Sequence, residues 1–338
     1  MLTDSFGRSI RYLRVSVTDR CNLFCSYCRL PAEKMLPDNR EILNFAEIVR
    51  LLRIFLQLGI EQIRLTGGEP LLRRNIVELV EALAHLPGLR GLSLTTNALL
   101  LERHAVALRA AGLQRVNISL DSLTPEIFAR ITQRTALPHA PPGGGLPAVI
   151  AGITAAVRAG LQPVKVNMVV MRGINDHEIP AMVRFAQQQG VLLRFIETMP
   201  LGAAGVDLAD QFVPAEEILA QLHAHFGGQC LPVAAGAGNG PARYFRLADT
   251  DTEIGVISAR SRHFCDTCNR MRLTAKGALV YCLGQQDQMD LKPLLRGGAD
   301  DAEIKQAIHT AVSLKPERHT FEQREGWSKA TRMSALGG

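Results

Sequence analysis

Two sets of three cysteines restrict this chain more than any other feature. Cys21, Cys25 and Cys28 stand in the order Cys-x-x-x-Cys-x-x-Cys, directly after a strand-like run. Cys265, Cys268 and Cys282 read Cys-x-x-Cys-x13-Cys near the other end. A [4Fe–4S] cluster held by three thiolates keeps one iron open for a substrate or cofactor, whereas structural clusters usually fill every position with cysteine. Two such sets predict two [4Fe–4S] clusters, each with a vacant iron. A structural zinc site is the competing reading of either set alone. Zinc normally takes four ligands in a closed site. At the second set His263 is on offer as a fourth, only two residues before Cys265.

A chain of 338 residues can bury a large core and is long for one domain. Hydrophobic content of 47% and charged content of 21% exclude a disordered chain. The polar start lacks a basic-then-apolar signal pattern, and no apolar run approaches a membrane span. The expectation is a cytoplasmic protein without membrane contact. In that setting seven cysteines read as metal ligands, not disulfides. Six fall into the two sets, and Cys230 is left over as an ordinary thiol. The formal charge of +6 suits an anionic small substrate as well as a nucleic acid. Aromatic content is only 5%, and no stretch interleaves aromatics with Lys or Arg, so no nucleic-acid partner is expected.

Strand-like runs stand at 12–18, 62–66, 91–96, 115–120, 163–170 and 191–197, with helical patterns between them. Asn44 with Glu47 forms a capping box that opens one helix, and Gly59 ends it. Asn75 with Glu78, Thr124 with Pro125, and Asn175 with Glu178 open three more, the last closing near Gly190. Six strand–helix repeats predict a parallel sheet with right-handed crossovers. They are too few for a full eight-fold barrel. The expected fold is therefore α/β, an incomplete (βα)6 three-quarter TIM-like barrel over 1–205. Alternation ends at about Val206, so 206–338 is expected to be a smaller mixed C-terminal domain carrying the second cysteine set. The stretch 137–147, with Pro138, Pro141, Pro142, Gly143, Gly144 and Gly145, reads as an inserted surface loop.

Parallel barrels gather their chemistry at the C-terminal strand ends. Here strand one leads to the first cysteine loop and strand two ends in Thr66-Gly67-Gly68-Glu69-Pro70. The glycines allow backbone to approach a ligand, and backbone groups or Glu69 could hold an amino group. Thr95-Thr96-Asn97, Ser119-Leu120-Asp121, Lys165 with Asn167, and Glu197 with Met199 follow on the later strands. One polar strand end is ordinary loop capping. A polar cluster on every strand, beside a metal loop, points to a site.

Cys21-Asn-Leu-Phe-Cys25-Ser-Tyr27-Cys28 resembles the cluster loop of the radical S-adenosylmethionine superfamily, and Gly67-Gly68-Glu69-Pro70 resembles its methionine-binding motif. Leu13-Arg14 with the residues up to Cys21, Arg64 before the glycine pair, Asn117-Ile-Ser-Leu-Asp-Ser-Leu123, Arg194-Phe-Ile-Glu-Thr-Met199, and Cys265-x-x-Cys268-Asn-Arg270-x-Arg272 are together similar to the GTP 3′,8-cyclase family of molybdenum cofactor biosynthesis. The resemblance covers almost the whole chain. It implies that Cys21, Cys25 and Cys28 bind one [4Fe–4S] cluster, and that Tyr27, Gly68, Ser119 and Met199 contact S-adenosylmethionine. It implies that Cys265, Cys268 and Cys282 bind a second cluster whose open iron holds the guanine base. Arg14, Arg64, Thr95, Lys165, Arg270 and Arg272 would then contact GTP, as arginine forks and a lysine charge suit a triphosphate.

The implied reaction begins when a 5′-deoxyadenosyl radical takes hydrogen from ribose C3′. C3′ then bonds to C8 of guanine, giving 3′,8-cyclo-7,8-dihydro-GTP without any covalent protein nucleophile. Implied partners are GTP, a reducing electron donor and, downstream, cyclic pyranopterin monophosphate synthase; the protein would be a monomer or homodimer. The final Gly337 and Gly338 would enter the active site. Two departures stand out: 137–145 is long, and Ala98 follows Asn97 where the family tends to glycine. Two rivals remain, a radical enzyme acting on peptides or sugars and an iron–sulfur electron carrier.

Overall fold

Six segments alternate outward apolar and inward polar residues with the period of two that a strand imposes. They form β1 (Tyr12–Ser16), β2 (Gln62–Thr66), β3 (Gly91–Thr96), β4 (Arg115–Ser119), β5 (Lys165–Val170) and β6 (Leu192–Glu197). All six pair in parallel in that order. The structure is a computed structural model that describes residues 1–28, 41–133, 145–201, 208–234, 240–248, 252–321 and 333–336. Leu13, Val15, Ile63, Leu65, Ile118 and Phe195 are wholly buried in the core between the sheet and its helices. The opposite face, largely polar on β1 to β5 and carrying Arg194 on β6, surrounds a lumen.

The helices cover the outer face. In α1 (Phe45–Gln57), Ile48, Leu51, Leu52 and Phe55 form one buried stripe at helical spacing. Both capping-box bonds are made: Glu47 N–H donates to Asn44 Oδ1 at 2.9 Å and Asn44 N–H to Glu47 Oε2 at 2.7 Å. The other expected caps differ. Before α2 (Ile76–Ala84), Asn75 takes a left-handed conformation and its side chain caps nothing. α3 (Leu101–Ala110) follows β3. α4 (Pro125–Thr132) does begin with proline, yet the Thr124 hydroxyl donates to the buried Glu178 instead of capping its own helix.

Asn175 is likewise recruited elsewhere. Its amide donates to Asp121 O at 2.7 Å and Val169 O at 2.9 Å, tying the exits of β4 and β5 together. A 3-10 turn, Asp176–Glu178, therefore intervenes before α6 (Ile179–Gln189). Tertiary hydrogen bonds outcompeted local capping at Thr124 and Asn175, while α1 kept its capping box. Of the expected loop, 137–144 lies outside the described residues, while Leu146 and Pro147 form the first turn of α5 (Leu146–Arg158), where proline is tolerated.

The later residues do not build a sheet of their own. After α7 (Ala215–Phe226) come β7 (Leu231–Val233), β8 (Arg243–Arg246) and β9 (Glu253–Ile257), then β10 (Arg270–Leu273), β11 (Ala278–Val280) and β12 (Gln288–Asp290). β9 pairs in parallel with β6 and β10 in parallel with β1. The result is one open sheet in the order β12-β11-β10-β1-β2-β3-β4-β5-β6-β9-β8-β7. It is a partial barrel widened at both edges by the C-terminal strands. α8 (Lys292–Arg296) and α9 (Asp301–Ser313) complete the chain as far as its final segment. Among the described residues no helix is long and apolar enough to cross a membrane.

The Ala98 departure has a structural counterpart, since Ala98 sits at φ +61°, a conformation glycine adopts more readily. Its neighbour Gly152 lies inside α5, where alanine would normally help by about 1 kcal/mol. A Cβ there would stand 2.5 Å from the Ala98 carbonyl oxygen. Gly152→Ala is therefore expected to destabilise the protein by about 2 kcal/mol, as overpacking does, read as a lower urea midpoint.

Candidate active site

The inward positions of the strands meet in one lumen. Among the described residues it is lined by seven positive side chains, Arg14, Arg64, Arg115, Lys165, Arg194, Arg270 and Arg272. Strand register explains the crowding. Arg272, Arg14 and Arg64 are direct partners across β10, β1 and β2. Asn117 and Lys165 are partners across β4 and β5, and Asn167 and Arg194 across β5 and β6. The cations thus sit in the middle or at the start of their strands, deeper than the strand ends where the sequence placed the chemistry.

The lumen also contains the carboxylates Asp121 and Glu197. Both are already engaged. Asp121 accepts from Val169 N–H and from the Tyr27 hydroxyl, each at 2.8 Å. Glu197 accepts from the backbone of Ala215, Arg260 and Ser261. The cations feel one another instead. Burial, then Arg194, Arg64 and Arg115, bring the Lys165 ammonium down to about 8. Burial, then Arg64, lowers Arg194 to about 10. Burial, then Arg270, does the same to Arg272, and burial with Arg272 lowers Arg14 as well.

What holds Arg64 and Arg194 in place is neutral. Arg64 Nε donates to Ser93 Oγ at 3.2 Å, and Arg194 Nε donates to Asn167 Oδ1 at 2.9 Å. With its amide oriented to suit its neighbours, Asn117 accepts from both, at 3.2 Å from Arg64 Nη2 and 3.1 Å from Arg194 Nη2, with Arg64 Nη1 also bonded. Two guanidinium nitrogens on one oxygen lie within about 6 Å of each other, where unit charges repel by about 3 kcal/mol at an effective dielectric of about 20.

At the C-terminal ends of the strands lies the first cysteine loop, and Cys21, Cys25 and Cys28 all line the lumen. Burial, then Asp121 and the thiols Cys28 and Cys21, push the Cys25 thiol well up. Three thiolates crowded there need a cationic core, as an iron cluster provides. Tyr27, Gly68, Ser119 and Met199 line the same end. Thr66, Thr95 and Thr198 add buried hydroxyls without a hydrogen-bond partner among the described residues. The donor set and these orphaned hydroxyls fit a three-thiolate cluster with a polar ligand.

The glycine pair lines the lumen and also does a second job. A Cβ on Gly68 would lie 2.3 Å from the Arg20 carbonyl oxygen, and one on Gly67 2.5 Å from Thr18 O. Gly68 N–H donates to Thr18 O and Glu69 N–H to Arg20 O, at 2.8 and 2.7 Å. The glycines bring the end of β2 against the backbone leading into the cysteine loop. Glu69 is fully buried and does not line the lumen. Its carboxyl accepts from Leu71 N–H, Thr96 Oγ1 and Asn97 N–H, clamping β2 to β3.

The second cysteine set lies at the opposite end of the lumen. Cys265 and Cys268 precede β10, which runs parallel to β1; Cys282 follows β11, which runs back along β10. All three share an electrostatic neighbourhood: Cys282 and Cys268 raise the buried Cys265 thiol after burial itself, against a hydrogen bond from His319. Burial also raises Cys268, but Lys315 and Arg270 outweigh it and the net shift is downward. Lys315 is 3% exposed and donates to Tyr281 O at 2.7 Å. Arg8 clamps the loop from outside, donating to Cys265 O at 2.9 Å. Cys230 lies apart from both sets, half-buried against the core.

With the first cysteine set, the implied cofactor and substrate contacts Arg14, Tyr27, Arg64, Gly68, Thr95, Ser119, Lys165, Met199, Arg270 and Arg272 line this lumen, whereas Glu69 does not. The sequence reading gave no role to Arg115, Asn117 or Arg194, though it named Asp121 and Asn167 as polar strand-end candidates. Their signal was positional, since each alternates in phase with an inward residue on its own strand or partners one across the sheet.

Comparison with known proteins adds two family matches. The Radical SAM superfamily matches residues 15–186, and the Molybdenum Cofactor Synthesis C family matches 191–321. A GTP 3′,8-cyclase of Hydrogenovibrio crunogenus is 47% identical over 100% of this chain and 99% of its own length. One from Pelotomaculum thermopropionicum is 44% identical over the full length of both chains. Among solved structures, Streptococcus suis SuiB bound to its precursor peptide SuiA has a TM-score of 0.63 at 14% identity, covering 89% of this chain and 67% of that one. That likeness is one of fold.

Burial raises Glu69 from the ordinary 4.5 to about 7, against the three hydrogen bonds it accepts. Between those values the folded chain keeps a proton that the unfolded chain releases, so stability falls as pH rises through the window. Asp121, raised to about 6, adds a slope of the same sign. Glu69→Gln is expected to reduce the slope. It should also cost about 2 kcal/mol, because its NH2 would face a buried donor. Urea unfolding at pH 5.5 and pH 8 reads both effects.

Proposed function

The chain belongs to the GTP 3′,8-cyclase family of the radical SAM superfamily, and from that premise we infer that its lumen seats S-adenosylmethionine at one end and GTP along the rest. It is a radical S-adenosylmethionine enzyme that converts GTP to (8S)-3′,8-cyclo-7,8-dihydroguanosine 5′-triphosphate, the first step of molybdenum cofactor biosynthesis. S-adenosylmethionine and an iron–sulfur cluster are its cofactors. The observation that carries the placement is the band of cations lying between two three-thiol sets.

Cys21, Cys25 and Cys28 would hold the [4Fe–4S] cluster with one iron open to S-adenosylmethionine, and Tyr27, Gly68, Ser119 and Met199 would shape the pocket around that cofactor. When bound, cluster and cofactor supply the 5′-deoxyadenosyl radical that abstracts hydrogen from ribose C3′. Cys265, Cys268 and Cys282 would hold a second [4Fe–4S] cluster whose open iron takes the guanine base. Arg14, Arg64, Lys165, Arg270 and Arg272, joined by Arg194, would surround the triphosphate, with Thr95 offering its hydroxyl.

A triphosphate relieves the mutual repulsion of these groups and draws the lowered Lys165 pKa back up. Fixing both ends of one nucleotide leaves C3′ and C8 little freedom, which is a large part of an intramolecular bond-forming step. An external low-potential donor would supply electrons, and cyclic pyranopterin monophosphate synthase would take the product.

Two outcomes are expected from anaerobically reconstituted protein given dithionite, S-adenosylmethionine and GTP. Deuterium placed at C3′ should appear in 5′-deoxyadenosine. Cys265→Ser should keep most S-adenosylmethionine cleavage yet lose GTP cyclisation; survival of both activities would overturn the second-cluster assignment.

The end of the chain bears on the same lumen. In α10 (Met333–Leu336), Met333 lines it and Leu336 O accepts from Arg272 Nη1 at 3.3 Å. Gly337 and Gly338 lie outside the described residues, but they follow directly from a carbonyl held by a proposed substrate arginine. Deleting them is expected to lower cyclisation at least tenfold with iron content unchanged. Full retained activity would refute a role for the tail.

A further inference from the structure

We propose that Asn117 is a positioning residue that spaces Arg64 and Arg194 for the triphosphate while leaving the lumen its full positive charge. This rests on the reading of that lumen as the triphosphate seat. Asn117 is 2% exposed, in the middle of β4, and its register partners are Thr95 and Lys165. Its single amide oxygen accepts from both guanidiniums.

The chemistry of the acceptor matters more than its presence. Aspartate has the same size and shape and would bond both arginines more strongly, since charge-assisted hydrogen bonds are about twice as strong as neutral ones. It would also cancel one unit of the charge that an incoming polyanion needs. The other acceptors follow the same rule: Ser93 on Arg64 and Asn167 on Arg194 are neutral oxygens too. The nearby carboxylates, Asp121 and Glu197, are occupied by backbone amides. The lumen therefore fixes Arg64 and Arg194 without neutralising them, and Asn117 bridges the two.

The test uses the reconstituted full-length protein under anaerobic conditions, with inorganic tripolyphosphate and guanosine as separate probes followed by calorimetry. Asn117→Asp is expected to weaken tripolyphosphate binding at least tenfold, with guanosine affinity unchanged and the melting temperature equal or higher. Asn117→Ala, which removes the oxygen without adding charge, should weaken tripolyphosphate severalfold, less than Asn117→Asp, and lower the melting temperature. Equal tripolyphosphate affinity in wild type and Asn117→Asp would overturn the proposal. So would a parallel loss of guanosine binding, which marks general damage. If Asn117→Asp does not fold, unchanged tripolyphosphate binding by Asn117→Ala overturns it, and a severalfold loss sustains it. Failure of the wild type itself to bind tripolyphosphate would instead refute the triphosphate seat, and this proposal with it.

Discussion

Like charges gathered away from bulk water repel one another, and much of this molecule is arranged to withstand that repulsion. Seven cations share the lumen, and the two carboxylates among them are turned to backbone amides. Burial first, and the neighbouring cations after it, bring Lys165 down to about 8 and Arg194 and Arg272 down to about 10. Such a site is unfavourable when empty of anions, and a polyanion that binds the folded chain returns stability by mass action. Substrate affinity and fold stability are thus set by the same side chains. The rigid outer core is what allows the trade, because Leu13, Ile63, Ile118 and Phe195 anchor the backs of strands whose fronts would otherwise push apart.

The topology turns a one-ended barrel site into a two-ended one. In a closed barrel, packed side chains fill the interior and only the C-terminal mouth is open. Here the sheet stays open between β12 and β7, and polar inward residues leave a continuous lumen. Because β10 enters parallel to β1, the cysteines that precede it arrive at the N-terminal mouth, opposite the first cysteine loop. Arg270 and Arg272 on β10 then face Tyr12 and Arg14 in register. The residues that close the site's far end are therefore part of the same sheet as those that open its near end.

The strands and their order were legible in the sequence because period-two patterning and turn residues are local signals. β2 and β3 have the boundaries expected from it, and the others differ by one or two residues. Cysteine spacing carried the site, since no common structural alternative uses two sets of three. Residues missed were those whose role depends on register. Arg194 meets Asn167 in register and reaches Asn117 beyond it only because of how β4, β5 and β6 align, and nothing local to any one strand says so. Asn75 and Asn175 misled for the converse reason: their local cap pattern is sound, but one adopts a left-handed turn and the other is claimed by backbone carbonyls across the sheet. The glycine pair was read as room for a ligand, and it also makes room for the chain's own backbone at Thr18 and Arg20, a contact the sequence could not show.

The pairing of β1 with β10 also orders events in time. Ribosomes deliver Tyr12 long before its sheet partner Arg270, so one edge of β1 must wait until nearly the whole chain has been made. Contacts so distant in sequence are slow to form, because the intervening loop must close first. During that interval the first cysteine loop is already complete, whereas the second set does not yet exist. An exposed parallel edge beside reactive thiols is an aggregation and oxidation hazard. This protein's maturation is therefore most vulnerable between the synthesis of its first strand and of its tenth, a vulnerability that the finished fold no longer displays.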